Sequence, residues 1–254
     1  MNILNQYIRY KLKAKGRHGV HSPFVYDFVD KCLRKSLPKD VFNAFKLYLN
    51  DLKKDKNTIE VTDLGAGSQK LSNSRKIASI AKVSGSGVKY GKLLYKLIDF
   101  YQPKNILELG TSLGIGTFMM SKAAPKGKIY TVEGCPNTQS VAKEKLAQFG
   151  VKNVHFYHSA FSDFLQSNKI MYDFVFIDGD HRGKSLLQQL NLLAPYIHEK
   201  TLIVLDDIRW SQDMLDTWQE LVQSKTYNLS IDLFRMGILA QRPKQFKEHF
   251  VVNY

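Results

Sequence analysis

From residue 91 onward, the hydrophobic and polar positions alternate between short apolar runs and longer segments of helical period. Each apolar run is bounded by glycine, proline or charged residues, which is typical of buried strands. The predicted strands cover residues 105–109, 128–132, 154–157, 172–177 and 201–205. The predicted helices cover residues 93–101, 138–149, 185–196 and 214–224. Strands that alternate with helices form a parallel sheet, so the pattern predicts a doubly wound α/β fold.

Two more apolar runs follow the last of these helices and predict a terminal β-hairpin. They cover residues 229–234 and 238–241 and are joined by the turn Arg235-Met236-Gly237. The hairpin adds two strands to the five before it. The predicted sheet is therefore mostly parallel and seven-stranded.

The chain before the sheet is predicted to be helical and basic. Between Ile3 and Leu12, apolar residues lie near one helical face, with arginine and lysine between them. Such a helix either packs its apolar face on the domain behind it or lies on an anionic surface. Ser22 and Pro23 predict the start of a second helix, which runs to about Leu33.

A third amphipathic helix is predicted over residues 39–52. We divide the chain into an N-terminal cap over residues 1–90, which is expected to cover the substrate cleft, and a sheet domain over residues 91–254. His18 and His21 lie in a glycine-flanked loop of the cap. They either line a substrate pocket or are ordinary surface residues.

The first predicted strand ends in a glycine-rich turn that leads directly into a helical segment. Gly110, Gly114 and Gly116 have the spacing Gly-x-x-x-Gly-x-Gly, which is neither the dinucleotide fingerprint nor the phosphate-binding loop. A strand, a glycine turn and a helix in this order aim backbone N–H groups at a ligand. The second strand is followed by Glu133, whose carboxylate can accept hydrogen bonds from both ribose hydroxyls. Together these features predict a nucleoside ligand without a pyrophosphate.

The segment Glu108-Leu-Gly-Thr-Ser-Leu-Gly-Ile-Gly116 resembles the first motif of class I S-adenosylmethionine-dependent methyltransferases. Glu133 stands where that family has its ribose-binding acid, and the resemblance extends over residues 91–241. It implies a Rossmann-like sheet whose terminal hairpin supplies the reversed seventh strand, and a segment from His158 to Asp163 that binds adenine. The cofactor-binding residues that it implies are Glu108, Gly110, Thr111, Ser112, Gly114, Gly116, Glu133, Ser159, Ala160, Phe161 and Asp178.

A second glycine motif, Asp63-Leu-Gly-Ala-Gly67, also resembles the cofactor motif, but its surroundings differ. No strand that ends in an acid follows it at the distance of about 20 residues that ribose recognition requires. We interpret residues 63–74 as a flexible loop beside the active site, leading into a helix capped by Ser74. Residues 85–87 are interpreted as a linker. A second cofactor site at this motif is the minor alternative.

Acidic residues follow the fourth and fifth strands, whose ends this topology makes neighbours. They are Asp178, Asp180, Asp206 and Asp207. Several carboxylates in one cleft repel one another unless a cation or protons intervene. Mg²⁺ prefers such oxygen ligands, and a bound metal lowers the pKa of a hydroxyl group. The sequence therefore predicts Mg²⁺ or Mn²⁺ on Asp178, Asp206 and Asp207, with simple capping of strand ends or helix N-termini as the alternative.

This acidic pattern resembles metal-dependent O-methyltransferases. Asp178-Gly-Asp-His181 with Asp206-Asp207 is similar to the enzymes that methylate macrolide sugars. Catechol-type enzymes are also similar, but they commonly have Asp-Asn at the second position, which favours the sugar comparison. The catalytic residues predicted here are His181, Asp178 and Asp207, with His181 as general base.

Composition adds one unusual feature, a net charge of +14 in a chain of 254 residues. This charge suits RNA, DNA or an anionic membrane surface as a partner. The alternative is that it reflects only a solvated, lysine-rich protein surface. Cys32 and Cys135 are far apart and predict neither a disulfide framework nor a zinc site. Without a signal peptide or an apolar run of about 20 residues, a cytoplasmic protein with no transmembrane segment is expected.

The sequence therefore predicts an O-methyltransferase that uses S-adenosylmethionine, is assisted by a divalent cation and acts on the hydroxyl group of a small molecule or glycan. Nucleic acid is not the favoured acceptor, because the Asp-Gly-Asp-His segment replaces the Asn/Asp-Pro-Pro-Tyr/Phe motif that binds a flipped base. The alternatives are an RNA or other macromolecular methyltransferase, and a non-catalytic cofactor-binding or membrane-associated protein. Whether the chain forms a homodimer is left open by the sequence.

Overall fold

The computed structural model describes residues 2–16, 22–62, 74–83, 87–242 and 245–254. The predictions for His18, for His21, for the second glycine motif and for most of the linker fall outside these residues. The remaining predictions can be compared with the structure directly.

Helices and strands alternate along the described chain, as the sequence pattern predicts. The helices are α1 (Ile3–Lys13), α2 (Pro23–Asp27), α3 (Lys39–Lys54), α4 (Ile77–Val83), α5 (Gly87–Tyr101), α6 (Ile115–Ala123), α7 (Pro136–Gln148), α8 (Phe161–Ser167), α9 (Gly183–Leu193) and α10 (Gln212–Gln223). A π-helical segment, Phe28–Leu33, continues α2, and a 3₁₀ turn, Ala194–Tyr196, follows α9. The strands are β1 (Thr58–Glu60), β2 (Ser74–Lys76), β3 (Asn105–Leu109), β4 (Lys128–Glu133), β5 (Val154–His158), β6 (Tyr172–Ile177), β7 (Ile197–Leu205), β8 (Leu229–Asp232), β9 (Gly237–Ala240) and β10 (Glu248–Val251).

The central sheet confirms the predicted α/β class and contains one more strand than predicted. Within the described residues its order is β10-β8-β9-β7-β6-β3-β4-β5, which makes it eight-stranded rather than seven-stranded. Strands β3 to β7 pair in parallel, whereas β9 is antiparallel to both β7 and β8. The additional strand, β10, pairs in parallel with β8. Only half of its residues are apolar, so the hydrophobic pattern does not predict it.

The prediction that Ser74 caps a helix is wrong. Ser74 lies in β2, which pairs antiparallel with β1, and α4 begins three residues later at Ile77. The N–H of Ile77 donates to the carbonyl of Asn57 at 2.9 Å, and the next N–H donates to the carbonyl of Asp55 at 3.0 Å. Because backbone carbonyls satisfy these first N–H groups, this helix needs no serine cap.

The predicted N-terminal helices are present, and the first one buries only part of its apolar face. Its buried residue is Tyr10, whose hydroxyl donates to the carbonyl of Val252 near the other end of the chain. Its exposed apolar residues include Leu4, Ile8 and Leu12. Contact with an anionic surface stays a prediction for this helix. Ser22 precedes α2 as predicted, although its side chain makes no capping hydrogen bond.

The sheet buries side chains on both faces. Phe174 and Phe176 pack in one core with Tyr48 of α3, whereas Val175 packs on the opposite face with Trp218 of α10. Full burial of one large apolar side chain contributes roughly 1.5–3 kcal/mol, so both layers stabilise the sheet. The predicted domain boundary at residue 90 falls within α5 and stays a prediction. Among the described helices, none has the length and apolar character needed to span a membrane.

Candidate active site

The predicted glycine turn lies at the carboxyl edge of the sheet, between β3 and α6. Gly110 has φ +106°, and a Cβ there would lie 2.0 Å from the carbonyl oxygen of Asp178. Gly114 has φ +73° and is the N-cap of α6, where a Cβ would lie 2.9 Å from the hydroxyl of Tyr48. Glycine tolerates both the positive φ and the close approach. The turn therefore lies directly against the end of β6, which carries Asp178.

Glu133 ends β4 and is held against the glycine turn by backbone groups. The N–H of Ser112 donates to its Oε2 at 2.8 Å, and the N–H of Cys135 donates to its Oε1 at 2.9 Å. Each carboxylate oxygen can accept a further hydrogen bond. The predicted ribose-binding acid is thus fixed in position at the glycine turn.

Glu108 lies beneath the same turn and is fully buried. The hydroxyls of Thr117 and Thr131 donate to its Oε2 at 2.5 and 2.6 Å, and Thr111 contacts Thr131 at 2.6 Å. Burial raises the pKa of Glu108 from 4.5 to about 7, although the threonine hydrogen bonds act in the opposite direction. Its other oxygen lies 2.9 Å from the position of a Cβ on Gly116. These contacts give Glu108 and Thr111 a structural role beside their predicted contact with a cofactor.

The predicted adenine segment links the ends of β4 and β6. The N–H of Ser159 donates to the carbonyl of Glu133 at 3.2 Å, and Ala160 is the N-cap of α8. The ring of Phe161 lies 2.9 Å from the position of a Cβ on Gly179. The segment therefore closes one side of the cleft above the glycine turn.

These elements enclose a cavity of about 780 Å³. It brings together the predicted residues Glu108, Gly110, Thr111, Ser112, Gly116, Glu133, Ser159, Ala160, Phe161, Asp178, His181 and Asp207. Two predicted residues, Gly114 and Asp206, are not part of its wall. The cavity brings most of the predicted cofactor residues together, while their binding of a cofactor stays a prediction.

The cavity wall also contains residues that the sequence analysis missed. Trp210 is 59% exposed, and its ring centroid lies 5.5 Å from that of His181. From the N-terminal part, Arg75 in β2 and Ile80 in α4 reach the wall. Trp210 follows the acidic pair after β7, so its position could have indicated the site. Nothing in the sequence places β2 or α4 beside a strand end.

Arg235 joins the two acids at the end of β7, and the sequence analysis did not identify it as a site residue. Its Nε lies 3.0 Å from Asp206 Oδ1 and 2.9 Å from Asp207 Oδ1. Its Nη2 lies 2.9 Å from Asp206 Oδ2 and 3.2 Å from Asp207 Oδ2. Burial, helped by the Asp206 charge and opposed by Arg235, raises the pKa of Asp207 to about 7. Burial and the two neighbouring acids also raise the pKa of Asp178 well above its ordinary value.

The predicted metal site can be compared with these contacts. The charges of Asp206 and Asp207 both raise the pKa of Asp178, so the predicted acids do come together. However, all four carboxylate oxygens of Asp206 and Asp207 contact the Arg235 guanidinium. In the ranges that the structure describes, no group of three or more His, Cys, Asp and Glu side chains is arranged to hold a metal ion. A divalent cation does not fit these side chains as they are placed, and the metal site stays a prediction.

Comparison with known proteins identifies the segment that builds this cleft. A family model described as a methyltransferase domain matches residues 107–208. The catechol O-methyltransferase of Niastella koreensis is 34% identical over 134 residues, which are 50% of this chain and 59% of that protein. The transmembrane O-methyltransferase of Homo sapiens is 31% identical over 122 residues, which are 45% of this chain and 41% of that protein. The chain therefore spans about half the length of the curated relatives that it matches.

A solved structure extends the likeness beyond this segment. The SAH-bound methyltransferase PaMTH1 of Podospora anserina aligns with a TM-score of 0.59 at 13% identity, over 88% of this chain and 97% of that one. At such low identity the likeness shows the fold alone. The family model covers the part of the cleft that lies within residues 107–208, and the aligned fold includes 88% of the chain. Residues 107–208 therefore match a methyltransferase domain, and the chain shares the overall fold of a solved methyltransferase.

Proposed function

We propose that this chain transfers a methyl group from S-adenosylmethionine to a hydroxyl group of a small molecule. One observation carries the proposal: a single cavity joins the glycine turn and Glu133 to a second wall that contains His181 and Trp210. Ligand pockets commonly measure about 300–1,000 Å³, so a cavity of this size suits a nucleoside cofactor with a small acceptor. A site for methyl transfer requires both ligands side by side.

The cofactor end of the cavity has the groups that S-adenosylmethionine requires. We assign the ribose hydroxyls to Glu133 and the adenine to the segment from Ser159 to Phe161. Because Gly110 has no side chain, the backbone of the turn would be able to approach the ligand closely. When bound, S-adenosylmethionine supplies the methyl group and leaves as S-adenosylhomocysteine.

At the acceptor end, His181 is the residue placed to take the proton of the acceptor hydroxyl. Its Nε2 lies 3.9 Å from Asp207 Oδ2, so a positive charge on the imidazole is stabilised by a nearby carboxylate. The ring centroid of Trp210 lies 5.5 Å from that of the imidazole ring. Removal of the proton by a positioned base leaves the acceptor oxygen as the nucleophile that takes up the methyl group.

The acceptor that fits this end best is a hydroxylated aromatic ring of the catechol type. The rings of His181 and Trp210 are tilted by 37° to each other and offer aromatic faces against which an aromatic ring can stack. The name of one curated relative, the catechol O-methyltransferase of Niastella koreensis, points to the same chemical class. The sequence analysis favoured a sugar because this chain has Asp206-Asp207, but Arg235 engages both carboxylates. That pair therefore no longer argues for a sugar.

The test is a methyl-transfer assay with catechols, phenols, free sugars and an RNA transcript as acceptors, in which S-adenosylhomocysteine is measured. We expect methylation of the catechol-type acceptors. His181→Gln should lower kcat by about 10²–10⁴-fold, as loss of a general base does. Cofactor affinity should stay within about twofold, because the proposed role involves the acceptor proton rather than cofactor binding.

A matched control is His155→Gln, which changes an exposed histidine on β5 that stacks on Tyr130 outside the cavity. This variant should retain wild-type turnover. Methylation of RNA alone would replace the proposal by the macromolecular alternative. Calorimetric binding of S-adenosylmethionine with no methylation of any acceptor would support a non-catalytic cofactor-binding protein instead.

A further inference from the structure

The turn between β8 and β9 brings Arg235 to the acids that follow β7, of which Asp207 lines the cavity. The turn is tightly fixed: the N–H of Leu233 donates to the carbonyl of Met236 at 2.9 Å, and Phe234 has φ +73°. The carbonyl of Arg235 accepts from the N–H of Ile208 at 3.0 Å, which ties the turn to the loop after β7. The backbone therefore holds Arg235 beside the two acids of that loop.

The guanidinium of Arg235 lies between the acids and an aromatic ring. One edge of the group contacts both oxygens of Asp206 and both oxygens of Asp207 at 2.9–3.2 Å. Its central carbon lies 5.0 Å from the ring centroid of Tyr90. The Asp206 side chain is fully buried, and that of Arg235 is 20% exposed. A planar guanidinium with parallel N–H groups is well suited to such paired carboxylates.

This arrangement leaves no place for a divalent cation on the same two acids. Mg²⁺ requires oxygen ligands at about 2.0–2.1 Å in near-octahedral geometry, and here every oxygen of the pair faces an N–H group. A cation in contact with these oxygens would also lie within a few ångströms of the guanidinium charge, and like charges at that distance repel strongly in a buried site. The two cations therefore compete for one position.

We propose that Arg235 takes the position of a divalent cation in this active site, so that the chain binds its cofactor and methylates its acceptor without a metal ion. Arg235 is a positioning residue: it fixes Asp206 and Asp207 and balances their charge, and Asp207 in turn lies beside His181. The part of the proposal that concerns turnover rests on the proposed function. The exclusion of a cation does not, because it can be measured without any methyl acceptor.

The first experiment is a titration with Mn²⁺ followed by electron paramagnetic resonance, on protein saturated with S-adenosylhomocysteine. The wild-type protein should show no specific Mn²⁺ site below millimolar concentration. Arg235→Ala should gain one site with at least tenfold higher affinity, because Asp206 and Asp207 lose their counter-charge. Arg235→Met, which keeps side-chain length without charge, is the second variant if alanine destabilises the fold. The double variant Arg235→Ala with Asp206→Asn should lose the new site.

The matched control is Arg209→Ala. Arg209 is also a partly buried arginine at the β8–β9 turn, and it pairs with Asp232 at 2.6 and 2.9 Å and lies over the ring of Phe234. Its loss removes an ion pair of the same kind without exposing two acids together. This variant should be destabilised in thermal unfolding but should gain no Mn²⁺ site. A gained site here would mean that the effect of Arg235 is not specific.

The second experiment measures turnover with an identified acceptor. Wild-type activity should survive exhaustive treatment with EDTA. Arg235→Ala should lose at least about tenfold in kcat, with partial recovery when Mg²⁺ or Mn²⁺ is added, whereas Arg209→Ala should show no recovery. Recovery by a cation is a result that a merely structural role of Arg235 does not produce.

Three results would overturn the proposal: one tight Mn²⁺ site in the wild-type protein, loss of wild-type activity in EDTA, or no gain of Mn²⁺ affinity in either Arg235 variant. Failure of the proposed function is a different outcome. In that case no hydroxyl acceptor is methylated, while the Mn²⁺ titrations still decide whether Arg235 excludes a cation.

Discussion

Replacement of Glu133 by alanine tests whether this cleft binds the ribose of S-adenosylmethionine. The carboxylate ends β4 and is fixed by the N–H groups of Ser112 at 2.8 Å and Cys135 at 2.9 Å. A hydrogen bond to a charged group contributes about 1.5–3 kcal/mol, and each 1.36 kcal/mol is a factor of ten in affinity. We therefore expect the dissociation constant to rise by about 10–150-fold. The two backbone N–H groups also lose their acceptor, which favours the upper part of this range.

The assay is isothermal titration calorimetry with S-adenosylhomocysteine, together with thermal unfolding of each variant. Glu133→Gln keeps one carbonyl acceptor and should lose affinity by about tenfold, the value of one weakened charged hydrogen bond. The matched control is Glu144→Ala, which removes an acid from α7 whose partner is the nearby Gln148. This control should bind like the wild-type protein, since Glu144 does not line the cavity.

The reasoning fails if Glu133→Ala binds S-adenosylhomocysteine within about twofold of wild type while its melting temperature is unchanged. Such a result would mean that Glu133 only braces the turn through Ser112 and Cys135. A drop in melting temperature without loss of affinity would lead to the same conclusion.

Two further predictions concern the stability of the fold at the glycine turn and at Glu108 below it. Gly110→Ala should lower the free energy of unfolding by about 3 kcal/mol or more, because Gly110 has φ +106° and a Cβ there would lie 2.0 Å from the Asp178 carbonyl oxygen. The control Gly150→Ala, at φ +72° with no atom near the Cβ, should lower it by only about 1–2 kcal/mol. Urea unfolding measures both values. The pKa of Glu108 is raised from 4.5 to about 7. The protonated carboxyl group therefore contributes fully to the free energy of unfolding below pH 4.5, and this contribution is lost as the pH rises to 7. Between pH 4.5 and 7, the wild-type protein should lose up to about 3 kcal/mol of unfolding free energy relative to Glu108→Gln. Curves of unfolding free energy against pH that run parallel for the two proteins would contradict this.

The sequence predicts which residues meet around the glycine turn, because the determinants of this part of the cavity are local. The glycine turn follows an apolar strand directly, and Glu133 directly follows the next one. The carboxyl ends of parallel strands lie at one edge of the sheet, so residues that follow the strands must come together. For this reason Ser159, Asp178 and Asp206 could also be assigned to one region of the molecule, although Asp206 proves to lie behind the cavity wall.

The acceptor half was predicted poorly, because its determinants are contacts between distant parts of the chain. Ser74 resembles a helix cap in sequence, but pairing of β2 with β1 overrides that preference. Strand β10 has a weak apolar pattern and exists because β8 offers an edge for it. The charge pairing of Arg235 with Asp206 spans 29 residues, and no spacing rule connects a hairpin turn to a strand end.

The contact between the two ends of the chain explains why the position of Arg235 is so well defined. Phe234, the residue before it, packs against Tyr7 at 5.0 Å and Tyr10 at 5.2 Å between ring centroids. Tyr10 is in turn bonded to Val252 beside β10, which pairs with β8. Helix α1 and β10 thus hold the β8–β9 turn from two sides. Several acids lie together at the carboxyl edge of the sheet, and a nearby positive charge reduces their mutual repulsion. In this chain Arg235 provides that charge, and α1 and β10 together hold the turn that carries it.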